Sequence, residues 1–396
     1  MNEHDKKAKS KSASKQSDKR RVRMLCFDGG GIRGLIILQM ILEVEKRLKY
    51  PLESYFDWVG GTSTGSIIST MLCEKKRVRD MLGLYFRFKD KVLTGSRPYN
   101  STNLENLLKD EIGANTTMRE IKKKFHKNLI VTATLVDRNP AQLHLFRSYP
   151  SPRVILAQTQ VSDEYKPLPN PETQLAWEAC RASGAAPTYF KAFKNFMDGG
   201  LIANNPTLDA MTEFKIHNDS LESIGYGNET EQLAMVLSIG TGREPLRPMQ
   251  VVELEKMWSI NPREVTRGAM YFKYMGELLI QQICNTEAHV VDRAMVMCSL
   301  VNVPYFRLNP PLSEIITTDE TDDVELLNAI WETKAYMYAM RDQLKLIVDL
   351  LDGPCDILGK KTQSKSCKND KKVLKDVDAK MNQMGKEFAH DAEAQD

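Results

Sequence analysis

Two strand, glycine-turn and helix units follow one another within the first 75 residues, and they constrain the fold more than any other feature. The β-prone run RVRMLCF (21–27) passes straight into DGGGIRG (28–34). That loop opens the apolar LIILQMILEVEKRL (35–48), whose Gln39, Glu43 and Lys46 share one face of an otherwise buried helix. The same order returns at FDWVGG (56–61), TSTG (62–65) and SIISTML (66–72). Further short apolar strands are predicted at NLIVTATLV (128–136) and LAMVLSIG (233–240). Continuous apolar strands alternating with helices describe a mostly parallel sheet covered on both faces, so the expected fold class is α/β, a three-layer sandwich. From about residue 261 the pattern changes to long helical stretches, RGAMYFKYMGELLIQQIC and VELLNAIWETKAYMYAMRDQLKLIVDLL, with PYFRLNPP between them as an extra strand and turn.

The charge is concentrated at the two ends. Residues 1–23 hold nine Lys or Arg against three acids, and residues 360–375 hold seven Lys against one Asp, although the whole chain carries only +3. Residues 1–21 and 354–396 are therefore expected to be disordered basic tails around a folded body at 22–353, whose C-terminal helical part covers about 261–353. So small a net charge gives no reason to expect nucleic acid as a partner. The start has charge but no apolar signal region, and the longest apolar run is far below the ~20 residues a membrane span needs. Seven scattered cysteines form no C-x-x-C pair, which reads as reduced thiols in the cytoplasm. If such a chain acts on lipid, it must meet the membrane from the water side, as a cytoplasmic and peripherally membrane-associated protein.

Gly61-Thr62-Ser63-Thr64-Gly65 is a G-x-S-x-G between a short strand and a helix, the setting of a nucleophile elbow. The following helix turns its N-terminus, with its free N–H groups, toward an oxyanion formed at Ser63. Asp28-Gly29-Gly30-Gly31-Ile32-Arg33-Gly34 also contains G-x-G-x-x-G, so a dinucleotide loop has to be weighed. That reading wants an acid about 20 residues on, at the end of the second strand; Asp57 instead precedes WVGG. As an oxyanion loop the segment makes better sense, with Gly30 and Gly31 offering N–H groups and Arg33 adding positive charge. A catalytic triad would need a histidine, yet none of His4, His126, His144, His217, His289 and His390 sits in a glycine-rich loop at a strand end. Asp198-Gly199-Gly200 does, after the apolar Phe196-Met197, and a partly desolvated Asp can serve as base to a hydroxyl. The sequence offers no acidic calcium loop and no metal cluster.

DGGGIRG, GTSTG and DGG in this order, with about 135 residues from serine to aspartate, resemble the patatin-like phospholipase family. Stretches such as RASGAAPTYF, DGGLIANNPTLDAMTE, VDRAMVMC and PYFRLNP resemble the catalytic domain of its group VI calcium-independent phospholipases A2 in particular. The resemblance implies a Ser63–Asp198 dyad, an oxyanion hole of Gly30, Gly31 and Arg33, and hydrolysis of the sn-2 ester of glycerophospholipids through an acyl-serine intermediate, with no cofactor and no metal. Lysophospholipase, neutral-lipid hydrolase and acyl-CoA thioesterase activities use the same dyad, and a non-catalytic lipid-binding protein keeps the same fold. Two departures stand out. Members of this group usually carry ankyrin repeats ahead of the catalytic domain, where this chain has a short basic tail, as a truncated form or a short paralogue would. The residue after the elbow, often glycine in the family, is Ser66.

Membrane contact is expected from the resemblance and from residues 270–283, where Tyr271, Phe272, Tyr274, Met275 and Leu279 lie beside Arg267 and Lys273 in the manner of an interfacial helix, although such stripes are more often core. Homodimers and calmodulin binding are also implied. Residues 324–353 lack the basic character of a calmodulin target, so the sequence does not support the latter.

Overall fold

The computed structural model describes residues 19–152, 170–246 and 286–353. The run RRVRMLCF forms the central strand β1 (Arg20–Phe27), buried on both sides from Val22 onward. It pairs in parallel with β2 (Trp58–Gly61), Met24 opposite Trp58, and with β6 (Glu231–Ile239), Met24 opposite Val236. The sheet runs β4 (Gln142–Arg147), β3 (Asn128–Leu135), β2, β1, β6 and β7 (Tyr305–Leu308), all parallel except β4. The extra strand expected at PYFRLNPP is thus β7. The first strand starts at Arg20, inside the segment 1–21 read as a tail. Arg20 pairs there with both Glu231 (2.7 Å) and Asp57.

A seventh strand, β5 (Phe196–Asp198), pairs antiparallel with β3, Ala133 opposite Asp198. β4 already fills one edge of β3 over residues 130–135, so β5 must lie on the edge that β2 uses. β2 ends at Gly61 opposite Val131, and β5 ends at Asp198 opposite Ala133. The two strands therefore meet tip to tip, with Thr132 between them.

Alternation along the strands divides the core into two layers. Leu25, Phe27, Val59, Val131, Leu237 and Ile239 face a cluster with α1 (Gly34–Glu45), α2 (Thr64–Cys73), α3 (Val78–Lys91), α4 (Ser101–Ile112) and α6 (Ala176–Ser183). Between α4 and β3 lies α5 (Met118–Phe125). On the other face, Met24, Cys26, Trp58, Ile130 and Val236 pack against α8 (Thr207–Ser223) and α9 (His289–Leu300), with the single turn α7 (Gly200–Ala203) preceding α8. Helices on both faces of a mostly parallel sheet make the expected sandwich.

The long helix read over 324–351 is two, α10 (Asp323–Ala339) and α11 (Arg341–Asp352), meeting at Met340. Met337, Leu344, Ile347 and Leu351, from both helices, are buried in one core. Residues 270–283 lie outside the described residues. Among the described residues, no helix is long and apolar enough to cross a membrane, and no group of His, Cys, Asp and Glu is arranged to hold a metal ion.

Candidate active site

Parallel pairing brings the carboxyl ends of β1, β2, β6 and β7 to one rim, where open α/β sheets bind ligands. The glycine loop leaves β1, Ser63 leaves β2, residues 240–244 leave β6, and Asn309 follows β7. Asp57 sits at the opposite end of β2, held by Arg20 and by the N–H of Arg23. The acid that a dinucleotide loop requires is therefore absent from this rim.

Ser63 has φ 49° and ψ −120°, a left-handed conformation that a side chain adopts only under constraint. The constraint comes from the crowded turn, where a Cβ on Gly61 would lie 2.3 Å from the Gly65 carbonyl oxygen and one on Gly65 would lie 2.4 Å from that of Phe27. Its N–H donates to the Ser183 hydroxyl at 2.7 Å. Ser66 fits the elbow, because its buried hydroxyl donates to the Ser63 carbonyl at 2.6 Å. Tyr85 backs the turn, its hydroxyl against Thr64 and its ring against Gly34.

Asp198, 6% exposed, lies close enough to the Ser63 side chain to feel it electrostatically and accepts the Gly200 N–H at 2.7 Å. Burial pushes its carboxyl up to about 7, against the milder lowering by those two neighbours. Gly199 packs on Thr132, and Gly200 with Gly29 faces the Asn204 side chain. The N–H groups of Gly29 and Ile32 are taken by the carbonyls of Asn204 (3.0 Å) and Thr318 (2.8 Å). Those of Gly30 and Gly31 have no acceptor among the described residues. Arg33 reaches the same cavity, but Glu244 holds its guanidinium.

The Ser63–Asp198 pair lies in a cavity of about 1390 Å³ that also includes Gly30, Gly31 and Arg33. One arm is apolar, with Ile67, Leu84, Phe88, Leu104, Leu107 and Phe190. No histidine among the described residues lines it. His144 is buried on β4, pushed down to about 3 mainly by burial, and His217 packs on the rings of Trp58 and Tyr149.

Sequence reasoning did not find the buried cluster under the glycine loop. Arg307 on β7 binds Asp28 (3.0 Å through Nη1), Ser238 (2.9 Å) and Glu287, and Asn309 donates to Glu287 at 2.7 Å. Burial drives the Asp28 carboxyl up to about 6 in spite of Arg307 beside it. Ser183 and Arg307 lie in RASGAAPTYF and PYFRLNP, which the sequence shows only as family resemblance; neither stretch marks a role locally, because each residue acts on one far along the chain.

A doubly covered, mostly parallel sheet with a serine elbow, a second glycine loop and an aspartate on its rim defines an α/β protein of the acyl-hydrolase type. The sequence profile of the patatin-like phospholipase family matches residues 25–211, and this part of the chain belongs to that family. The 85/88 kDa calcium-independent phospholipase A2 of Mus musculus is 42% identical over 332 residues, 84% of this chain and 40% of that protein. The intracellular phospholipase A2 of Caenorhabditis elegans is 31% identical over 345 residues, 87% of this chain and 30% of that protein. The chain thus spans less than half the length of the curated relatives it matches. Among solved structures, VipD from Legionella pneumophila is 14% identical with a TM-score of 0.39, over 93% of this chain and 77% of that one.

Proposed function

We propose that the chain is a calcium-independent phospholipase A2 that hydrolyses the sn-2 acyl ester of glycerophospholipids with a Ser63–Asp198 dyad, working from the water side of cytoplasmic membranes. The observation that carries the reading is the buried Asp198 carboxylate beside the Ser63 side chain, in a cavity with one apolar arm that no described histidine lines. The names of the relatives support the lipid class.

Ser63 Oγ attacks the ester carbonyl carbon while its proton passes to Asp198, whose raised pKa suits it to accept at neutral pH. The carbonyl oxygen becomes an oxyanion beside the N–H groups of Gly30 and Gly31, while Arg33, tied to Glu244, contributes charge at longer range. Collapse releases the lysophospholipid, which takes its proton back from Asp198 and leaves the acyl chain esterified to Ser63. Water, activated by the same carboxylate, then repeats the sequence in reverse. The apolar arm is suited to the acyl chain.

The test is hydrolysis of phosphatidylcholine vesicles labelled in the sn-2 chain, in EGTA, by wild type, Ser63→Ala and Asp198→Asn. Release of the labelled acid by wild type and its loss in both variants is expected. A wild-type chain that leaves these vesicles intact while a fluorophosphonate labels Ser63 would remove the lipid class and keep the nucleophile. Absence of labelling would favour a non-catalytic lipid-binding protein.

A further inference from the structure

We propose that Arg243 is the phosphate subsite of this cavity, the residue that makes a phospholipid a better substrate than the matching neutral glyceride; this rests on the phospholipase reading above. Among the described residues three arginines line the cavity, Arg33, Arg97 and Arg243. Arg33 is paired with Glu244. Arg97 is gripped by both oxygens of Asp319, at 2.7 Å through Nε, and its guanidinium lies 4.1 Å over the Tyr189 ring. The Arg243 side chain has neither an ion pair nor a hydrogen bond among the described residues. The acids of the same wall are engaged, Glu244 by Arg33 and Glu287 by Arg307 and Asn309. Among the described residues, an anion entering the mouth therefore meets one uncommitted cation.

The backbone that carries that cation is fixed in a way an ordinary surface arginine's is not. The Arg243 N–H donates to the Pro310 carbonyl at 2.8 Å, and its carbonyl accepts the Leu312 N–H at 2.8 Å. Two residues earlier, the Thr241 hydroxyl donates to the Gly29 carbonyl at 3.0 Å, and the Thr241 side chain leaves no room for a Cβ on Gly30. One residue later, Glu244 is tied to Arg33. Arg243 is thus fastened on both sides to the loop that offers N–H groups to the oxyanion.

In a glycerophospholipid the phosphodiester stands on the glycerol carbon next to the one bearing the sn-2 ester. With the ester on Ser63, a neighbouring phosphate needs a cation beside the oxyanion loop, and a guanidinium matches two phosphate oxygens at once. A neutral glyceride has a hydroxyl or a third ester there and gains nothing comparable.

The measurement is kcat/KM for phosphatidylcholine and for diacylglycerol of the same acyl chains, in the same neutral mixed micelles, for wild type, Arg243→Gln and Arg243→Lys, with circular dichroism as the folding control. The phospholipid-to-diacylglycerol ratio is expected to fall about tenfold in Arg243→Gln, through KM, with Arg243→Lys in between. Wild type should also be competitively inhibited by glycerophosphocholine and not by glycerol, which tests the subsite without any substitution. A ratio unmoved by Arg243→Gln, or equal inhibition by the two glycerols, overturns the role of Arg243 alone. A wild type that cleaves diacylglycerol and leaves phosphatidylcholine intact overturns the phospholipase reading, and the subsite with it.

Discussion

The Ser183 hydroxyl accepts the N–H of Ser63 at 2.7 Å, so the residue that ends α6 fixes the backbone of the nucleophile. The Ser183 carbonyl accepts the Gly199 N–H at 3.2 Å, and the Ala185 carbonyl accepts the Asp198 N–H at 3.1 Å. One short segment therefore holds both members of the dyad, which arrive from strands that only meet at their tips. Ser183→Ala leaves the Ser63 N–H buried without an acceptor, a loss of ~1–3 kcal/mol. We expect kcat and the rate of fluorophosphonate labelling to fall about tenfold with KM nearly unchanged. A labelling rate equal to wild type would show that the elbow holds itself.

The pH dependence follows from burial of Asp198. Its carboxyl titrates at about 7 in the folded chain against an unfolded value near 3.8. The base works only when ionised, so kcat/KM should rise with pH through a limb near 7. Stability moves the other way. The folded state keeps a proton that the unfolded chain releases, so this group's contribution is complete below about 4 and is lost as the pH rises through about 7. Asp198→Asn should abolish activity, melt above wild type at pH 8, and lose that advantage as the pH is lowered toward 4.

Gly31→Ala tests the oxyanion loop. Gly31 has φ +59°, and an added Cβ would sit 2.1 Å from the Thr318 carbonyl oxygen. The loop must shift, carrying the Gly30 and Gly31 N–H groups with it. A fall in kcat of about 10²–10³ is expected, the scale on which losing an oxyanion donor is felt. Retained labelling of Ser63 by a small fluorophosphonate, together with near-normal turnover, would mean that the oxyanion is held elsewhere.

Arg307→Met tests the buried cluster. Asp28 is fully buried, and removing its counter-charge should cost about 3–5 kcal/mol, read from the shift of the urea midpoint. Adding Asp28→Asn should recover part of the loss, because the unpaired charge is then gone. Equal destabilisation with and without Asp28→Asn would assign the effect to packing instead.

Filling the apolar arm should change chain-length selectivity. Leu104 and Leu107 of α4 line it beside Phe190, and Leu107→Trp would shorten the space left for an acyl chain. The preference between long and short sn-2 chains should shift toward short ones by about tenfold, the effect of a few misplaced methylenes. An unchanged preference would place the acyl chain in another part of the cavity.

Local chemistry made much of this legible from the chain alone. A strand, a glycine turn and an apolar helix, repeated, dictate a parallel sheet covered on both faces, because each strand must bury both of its sides. The strain at Ser63 was readable from Gly61 and Gly65, since a sharp strand-to-helix turn tolerates no bulk there. Asp198 was readable as an acid on a glycine turn at a strand end. What tertiary structure alone decided is which of these meet. Nothing in the order of residues says that β5 enters antiparallel on the edge of β3 that β2 vacates, which is what brings Asp198 to Ser63. Nor does it say that Ser183 reaches Ser63 across 120 residues, or that Arg307 reaches Asp28 across 279. Helix and turn signals act over a few residues and leave their mark in the local sequence. Strand pairing and buried charge compensation are chosen by the packing of the whole sheet, and so they appear only when it is assembled.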